Sequence, residues 1–415
     1  MTISADHLAR QRTASRTNAL KFVLLIGVLS FFADFTYEGS RSIVGPYLAL
    51  LGASAAAIAI ITGFGELVGY GLRLISGRMA DSTGKFWPIT IFGYIVQMSS
   101  VPLLALAKSW EAAAFLVILE RVGKAIRNPP RDVMLSHAGK QIGRGWAFGV
   151  HEALDQVGAL FGPLLAALIL ASRSQYRLAF AVLLIPGLIC LAFLFVARWL
   201  YPKPQEMEAE TPNVETRGIP RIFWLYLSAA GLVAAGFVDY PLIAFHLQHT
   251  STVSKDLIPV FYAVAMGVSG LGSLVLGRLY DRAGFSILIF LTAITAPFAP
   301  LVFWGHFWVS LVGMALWGLG IGVHESLIPA AVAQMVPRER RASAYGLFTT
   351  GYGVFWFLGS VAIGFLYQYS VSAAVAFCVA LELAAIPVLI VVRRQLRFGS
   401  NGSDKRFSEI SDPSA

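Results

Sequence analysis

The sequence predicts an all-α membrane protein, with twelve transmembrane helices in two pseudo-symmetric six-helix bundles. Three observations predict it. First, the 415 residues are 57% hydrophobic and only 13% charged, where a soluble domain carries about 25% charged residues, and the mean hydropathy is +0.69. Second, the apolar residues gather in stretches that each approach the ~20 residues needed to span a bilayer as helix. Third, the chain repeats itself at a separation of about 200 residues. Gly77-Arg78-Met79-Ala80-Asp81-Ser82-Thr83-Gly84-Lys85 returns as Gly277-Arg278-Leu279-Tyr280-Asp281-Arg282-Ala283-Gly284. Both copies read as short charged turns between long apolar segments.

In chain order, residues 1–20 are polar and Arg-rich, with no apolar run or cleavage site, so no cleaved signal peptide is expected. The first bundle, 21–199, holds spans at 21–48, 54–76, 86–107, 111–138, 146–171 and 177–199. Residues 200–221 bring Pro, Glu and Thr without apolar periodicity and read as a linker. The second bundle, 222–395, holds spans at 222–248, 257–279, 285–304, 307–335, 343–367 and 372–393. Residues 396–415 are expected to form a disordered tail. The apolar runs are continuous, which is the pattern of helices and not of barrel strands.

The net charge of +9 is a topology signal. Lys and Arg collect on alternate connections, among them Arg78 and Lys85, Lys140 and Arg144, Arg278 and Arg282, and Arg338, Arg340 and Arg341. The opposite connections carry only Lys108, Arg173, Arg177 and Lys255. The positive-inside rule then places both termini and the linker in the cytoplasm, with the bundles in a bacterial inner membrane. No nucleic-acid partner is called for. Cys190 and Cys378 fall inside apolar spans and read as packing residues, not a disulfide framework.

Further echoes keep the same order and register. Arg144-Gly145-Trp146-Ala147-Phe148-Gly149 matches Arg341-Ala342-Ser343-Ala344-Tyr345-Gly346, and Phe32-Ala33-Asp34-Phe35 matches Phe237-Val238-Asp239-Tyr240. Gly77, Asp81, Gly84 and Lys85 fit G-x-x-x-D-x-x-G-[RK], and span five carries Gly149, Gly158, Gly162, Pro163 and Ala166-Ala167. On these motifs the chain resembles the major facilitator superfamily over nearly its whole length. The resemblance implies two bundles around a central cavity. It also implies gating loops at Gly77, Arg78, Asp81, Gly84 and Lys85 and at Gly277, Arg278, Asp281 and Arg282. The span-five pattern resembles the antiporter helix associated with exporters, with Ala166-Ala167 where the family has Gly-Gly and Ser82 where many members have Arg. Small residues at Gly149, Gly158 and Gly162 allow close helix packing, and Pro163 leaves the carbonyl of Ala159 unpaired. Asp81 is expected near the positive N-terminus of span eleven.

A charged side chain at the bilayer centre costs roughly 2.5–3.5 kcal/mol on insertion scales, so each one marks a wet cavity, a pair or a function. In span four, Glu120, Lys124, Arg127 and Arg131 fall within about 60° of one another on a helix, and Arg121, Asn128 and Asp132 form a second row. The pair Pro129-Pro130 is expected to break this helix, as happens where a helix lines a cavity. In the family an Arg of span four helps proton coupling, and Arg121 is the nearest match. Asp34, Glu38 and Arg41 share one face of span one and suit pairing with the span-four stripe. Burial and a neighbouring guanidinium act in opposite senses on such a carboxyl, so these acids are either proton-coupling groups or members of a static ion pair. His151 and Asp155 share a face of span five, as Glu66 and Arg73 do in span two. Asp239 and His246 lie in span seven. His324 and Glu325 in span ten are the counterparts of Arg127 and Asn128, and are either cavity groups or a packing pair. No dense His/Cys cluster appears, and the arginines oppose a cation, so no metal is expected.

No catalytic or phosphate-loop motif is present, which argues against an enzyme and against ATP as the energy source. The expectation is a monomeric, proton-driven secondary transporter without cofactors that exports a small organic molecule. An importer of a small anion, of carboxylate or iron-chelate type, is the alternative. A sensor or assembly factor without turnover is disfavoured by the intact signature loops.

Overall fold

The computed structural model describes residues 5–202, 220–336 and 341–410, nearly all of them helical. The helices are α1 (Ala5–Leu50), α2 (Ala55–Thr83), α3 (Phe86–Leu103), α4 (Trp110–Ile142), α5 (Arg144–Arg173), α6 (Tyr176–Val182), α7 (Leu184–Leu200), α8 (Arg221–Gly236), α9 (Tyr240–His249), α10 (Ile258–Ala283), α11 (Ser286–Thr295), α12 (Phe298–Trp304), α13 (Phe307–Gly322), α14 (Ile328–Met335), α15 (Arg341–Tyr369) and α16 (Val371–Ile410). They make twelve spans, because α6–α7, α8–α9, α11–α12 and α13–α14 are each one span in two pieces. Among the described residues, ten segments are long and apolar enough to cross a membrane. The remaining two spans are α4, which is rich in charge, and α10, whose described apolar run is Ile258–Ser273.

Helix ends fall where the sequence supplies caps. The hydroxyls of Ser54 and Ser109 accept from the backbone N–H of Ala57 and Ala112, opening α2 and α4. Gly84, at φ +64°, closes α2 and donates back to the carbonyl of Ala80. The signature segments are therefore mostly helical, a correction to the charged turns expected from sequence. Residues 77–83 belong to α2 and 277–283 to α10, and the turns begin only at Gly84 and Gly284.

Two further expectations are corrected. The polar C-terminal stretch 396–410 continues α16 as helix, where disorder was expected; a nucleated helix extends by one bond per residue fixed. At the other end α1 begins at Ala5, inside the polar segment 1–20. The linker reading falls mostly on 203–219, outside the described residues. Span four does not break at its prolines, since α4 runs continuously through Pro129 and Pro130. The break lies instead in span seven, where α8 stops at Gly236 and Phe237 and Asp239 are extended before α9. Pro241 has no N–H to offer the carbonyl of Phe237, one turn earlier. Span ten carries a π turn, Val323–Leu327, around His324 and Glu325.

Core packing differs between the halves. In the second half the buried apolar residues form one continuous cluster. In the first half they form two, one around Phe22, Tyr94 and Cys190 and one around Tyr47, Leu104 and Phe180. The charged residues of α1, α2 and α4 lie between them. The halves meet through α2 on α15, α1 on α9 and α5 on α10. Two ends can be told apart. The basic end holds the turns at Gly84, Gly143 and Gly284, and the far end holds those at Gly52, Ser174 and Ser251.

Candidate functional site

The polar belt of the first half is built around Arg127, which is fully buried. Its guanidinium donates to the hydroxyl of Tyr94 at 2.9 Å, to Oε1 of Gln97 and to Asp34 at 3.5 Å. Gln97 in turn donates to Glu120 at 2.6 Å. Glu120 therefore faces α3 and does not share the wall of Lys124, which corrects the single stripe expected from helical spacing. Arg131 pairs with Asp132 at 2.8 Å and donates to Ser30 Oγ at 3.2 Å.

A second network lies toward the far end. Arg41 donates to Glu66 at 3.2 Å and to Asp239 at 3.5 Å, and Arg121 reaches the same Glu66 oxygen at 2.9 Å. Asp239 sits at the break of span seven and accepts from Trp356 Nε1 and Ser360 Oγ, both at 3.2 Å. Arg41, Arg121 and Asp239, expected at a shared cavity with Asp34 and Glu38, thus form a buried clasp between the halves, because their rows point to α2 and α15. The far end is tight around it. A Cβ built on Gly45 would stand 1.9 Å from the carbonyl oxygen of Pro241. Tyr176 donates to Gln248 across the halves at 2.9 Å.

Between the clasp and the basic end is a cavity of about 550 Å³. Of the predicted site residues it is lined by Asp34, Glu38, Lys124, Arg127, Gly149, Asp155, His324 and Glu325, and also by Arg73, Arg131 and Glu152. Glu38 accepts from Tyr262 of α10 at 2.6 Å, a further polar tie across the halves. Lys124 rests 3.9 Å from the centre of the Tyr37 ring. Among the described residues no carboxylate oxygen lies within 4.0 Å of its ammonium. Arg73 likewise has no ion-pair partner among them and lies over the Tyr70 ring at 5.3 Å. His324 bonds Tyr352 from within the π turn.

His151, Glu152 and Asp155 bring ligand-type atoms within 4.8 Å of one another. Both ring nitrogens are engaged, Nε2 with Ser30 at 2.8 Å and Nδ1 with Asp155 at 3.5 Å. Arg131 donates to the same Ser30, so the group reads as a hydrogen-bonded cluster and not as a metal centre.

In the antiporter-like helix, Cβ atoms built on Gly158 and Gly162 would stand 2.3 Å and 2.1 Å from the carbonyl oxygens of Phe31 and Phe35, so these glycines let α5 lie directly on α1. Pro163 leaves α5 unbroken. In the signature segments, Arg78 is exposed. The side chains of Asp81, Arg278 and Asp281, and the contact of Asp81 with the start of α15, lie outside the described residues. Sequence reasoning did not include Tyr262, Gln97 or Ser360 in the site. Gln97 was the most findable, as the one side-chain amide of span three.

Comparison with known proteins agrees with this architecture. The profile of the Major Facilitator Superfamily matches residues 24–360 and again 240–411. An uncharacterized protein of Mycobacterium tuberculosis is 39% identical over 389 residues, 92% of this chain and 95% of the relative. An uncharacterized MFS-type transporter of Methanocaldococcus jannaschii is 25% identical over 84% of this chain and 89% of its own length. Multidrug resistance protein MdtH of Shigella boydii is 26% identical over 51% of this chain and 50% of its own. Among solved structures, the nucleoside transporter NupG superposes with a TM-score of 0.71 at 12% identity, covering 90% of this chain and 98% of NupG, a likeness of fold. The chain belongs to the Major Facilitator Superfamily. It is a multi-pass membrane protein of a transporter family and not an enzyme.

Proposed function

We propose, from membership of the major facilitator superfamily, that this chain is a secondary active transporter that exports a small organic molecule in exchange for protons by alternating access. One observation carries the reading: a charged cavity of about 550 Å³ between the two halves, bounded at the far end by the Arg41–Asp239 clasp and the Gly45–Pro241 contact. By the positive-inside rule the basic end faces the cytoplasm of a bacterial inner membrane, which makes this conformation open inward. Rocking of the halves then exposes the same cavity outward. Asp34, Glu38, Asp155 and Asp239 are the candidate proton carriers. One charge moving through ~100 mV supplies ~2.3 kcal/mol, roughly a fiftyfold concentration ratio. The chain works as a monomer without a cofactor, the proton gradient being its energy source. The span-five glycines and the distant relative named for multidrug resistance favour export.

A second reading, import of a small anion, is favoured by Lys124, a cavity ammonium without a carboxylate partner among the described residues. Reconstituted vesicles with an internal pH dye, an imposed pH gradient and a panel of cationic, neutral and carboxylate compounds separate the two. Compound-dependent proton release against compound efflux supports exchange. Uptake of carboxylates together with protons establishes import instead. No compound-dependent proton flux in either direction overturns both.

A further inference from the structure

One acid of the second half takes no part in the cavity or the clasp. Glu382 of α16 is 1% exposed, and among the described residues neither of its carboxyl oxygens has a hydrogen-bond partner. Buried polar groups are normally paired, and an ionised carboxylate without a partner in an apolar interior is neutralised.

Its position is specific. A Cβ built on Gly236, the last residue of α8, would stand 3.3 Å from Cγ of Glu382 and 2.8 Å from the carbonyl oxygen of Cys378. The side chain therefore lies against the point where span seven breaks. The end of α8 presents backbone carbonyls and the negative pole of a helix, so a carboxylate here would be opposed twice, by burial and by the helix end.

Among the described residues, no neighbouring element offers a compensating charge. The part of α8 against it, residues 229–236, contains only Ala, Gly, Leu and Val, and neither α11 nor α12 holds a titratable side chain. On α15, Tyr352 is bonded to His324 and Tyr367 to His246; Arg341 and Tyr345 lie at its basic end and Tyr369 is exposed at the other. Asp239 is directed at Arg41, Trp356 and Ser360. On α16 itself Cys378 is one turn away, and the first arginine, Arg393, is three turns away. A hard metal ion requires six or more oxygens, whereas a proton requires one.

We propose that Glu382 is a proton-binding site of the C-terminal half, loaded in the conformation seen here and unloaded when span seven bends differently at Phe237–Asp239. Its use in transport rests on the carrier reading above; the site itself does not.

Infrared spectroscopy of the full chain in lipid vesicles, followed through a pH titration, tests this. The wild type is compared with Glu382→Gln, with Glu382→Leu as a second variant that needs no hydrogen bond, and with Gly45→Ala, which keeps the far end from closing. The expected result is a protonated-carboxyl C=O band at neutral pH that is absent from both Glu382 variants and is lost at lower pH in Gly45→Ala than in the wild type. Absence of any band that depends on Glu382 overturns the proposal. A band that Gly45→Ala leaves unmoved also overturns it, because the proton is then a fixed structural element. The readout needs no transported compound, so its failure is distinguishable from failure of the carrier reading.

Discussion

Arg41 of α1 and Asp239 at the break of span seven stand 3.5 Å apart across the boundary between the halves, at 12% and 2% side-chain exposure. The contact joins the first helix of one half to the first span of the other. Asp239 can reach it because the chain is not helical there, which turns the carboxylate out of the α8 register. Glu66, held by both Arg41 and Arg121, sets Arg41 in place.

Asp239→Asn removes the charge while keeping the shape. A hydrogen bond to a charged group contributes about 1.5–3 kcal/mol, so closure of the far end weakens by about tenfold or more. A cysteine placed at Gln248 reports it as faster thiol labelling. Cys190 and Cys378 are both buried, so the introduced thiol reports alone. An unchanged labelling rate removes Asp239 from the clasp.

Gly45→Ala acts on the same closure by sterics. Its Cβ has no room against the Pro241 carbonyl, so the far end stays open while each half still folds. The expected outcome is a monodisperse protein with raised Gln248-site labelling and transport lost. Normal transport in this variant counts against alternating access through this contact.

Ser76 on α2 donates to the carbonyl of Ala125 at 2.8 Å, the group that Pro129 leaves without its helical donor. Ser76→Ala orphans that carbonyl and lowers stability by about 1–3 kcal/mol, read as a fall in the thermal midpoint in detergent. In a Pro129→Ala background the helix regains its own N–H donor, so the same substitution costs little. Equal losses in the two backgrounds contradict this account.

Lys124 and Arg127 separate on neutralisation. Arg127→Gln strips a buried pair of one member and leaves Asp34 uncompensated, a loss of about 3–5 kcal/mol seen as poor yield or a much lower thermal midpoint. Lys124→Gln leaves the fold intact and changes which compounds move. If both variants fold equally well, Arg127 is not the centre of the polar belt.

Some of the site was legible residue by residue. Asp34, Glu38, Lys124, Asp155, His324 and Glu325 were marked because charge at membrane depth is costly wherever it occurs, and all six line the cavity. Arg41, Glu120, Arg121 and Asp239 were marked for the same reason but lie elsewhere. Spacing shows which residues share a face of one helix and not which neighbour that face meets. Tyr262 was missed as a site residue because an aromatic in an apolar span looks like core until a carboxylate is seen opposite it.

The sequence alone determined the class, the span positions, the duplication and the superfamily. Each of these depends on local hydropathy, on short motifs or on one segment compared with another. Tertiary structure alone decided that α4 runs through two prolines while span seven breaks at Asp239. It also decided which acids face the hollow and which clasp the halves, and among the described residues it left Glu382 without a hydrogen-bond partner. These outcomes depend on what each helix packs against, since an orphaned carbonyl or charge persists only where another part of the chain, 49 positions away for Ser76 and Ala125 and 198 for Arg41 and Asp239, supplies or withholds its partner.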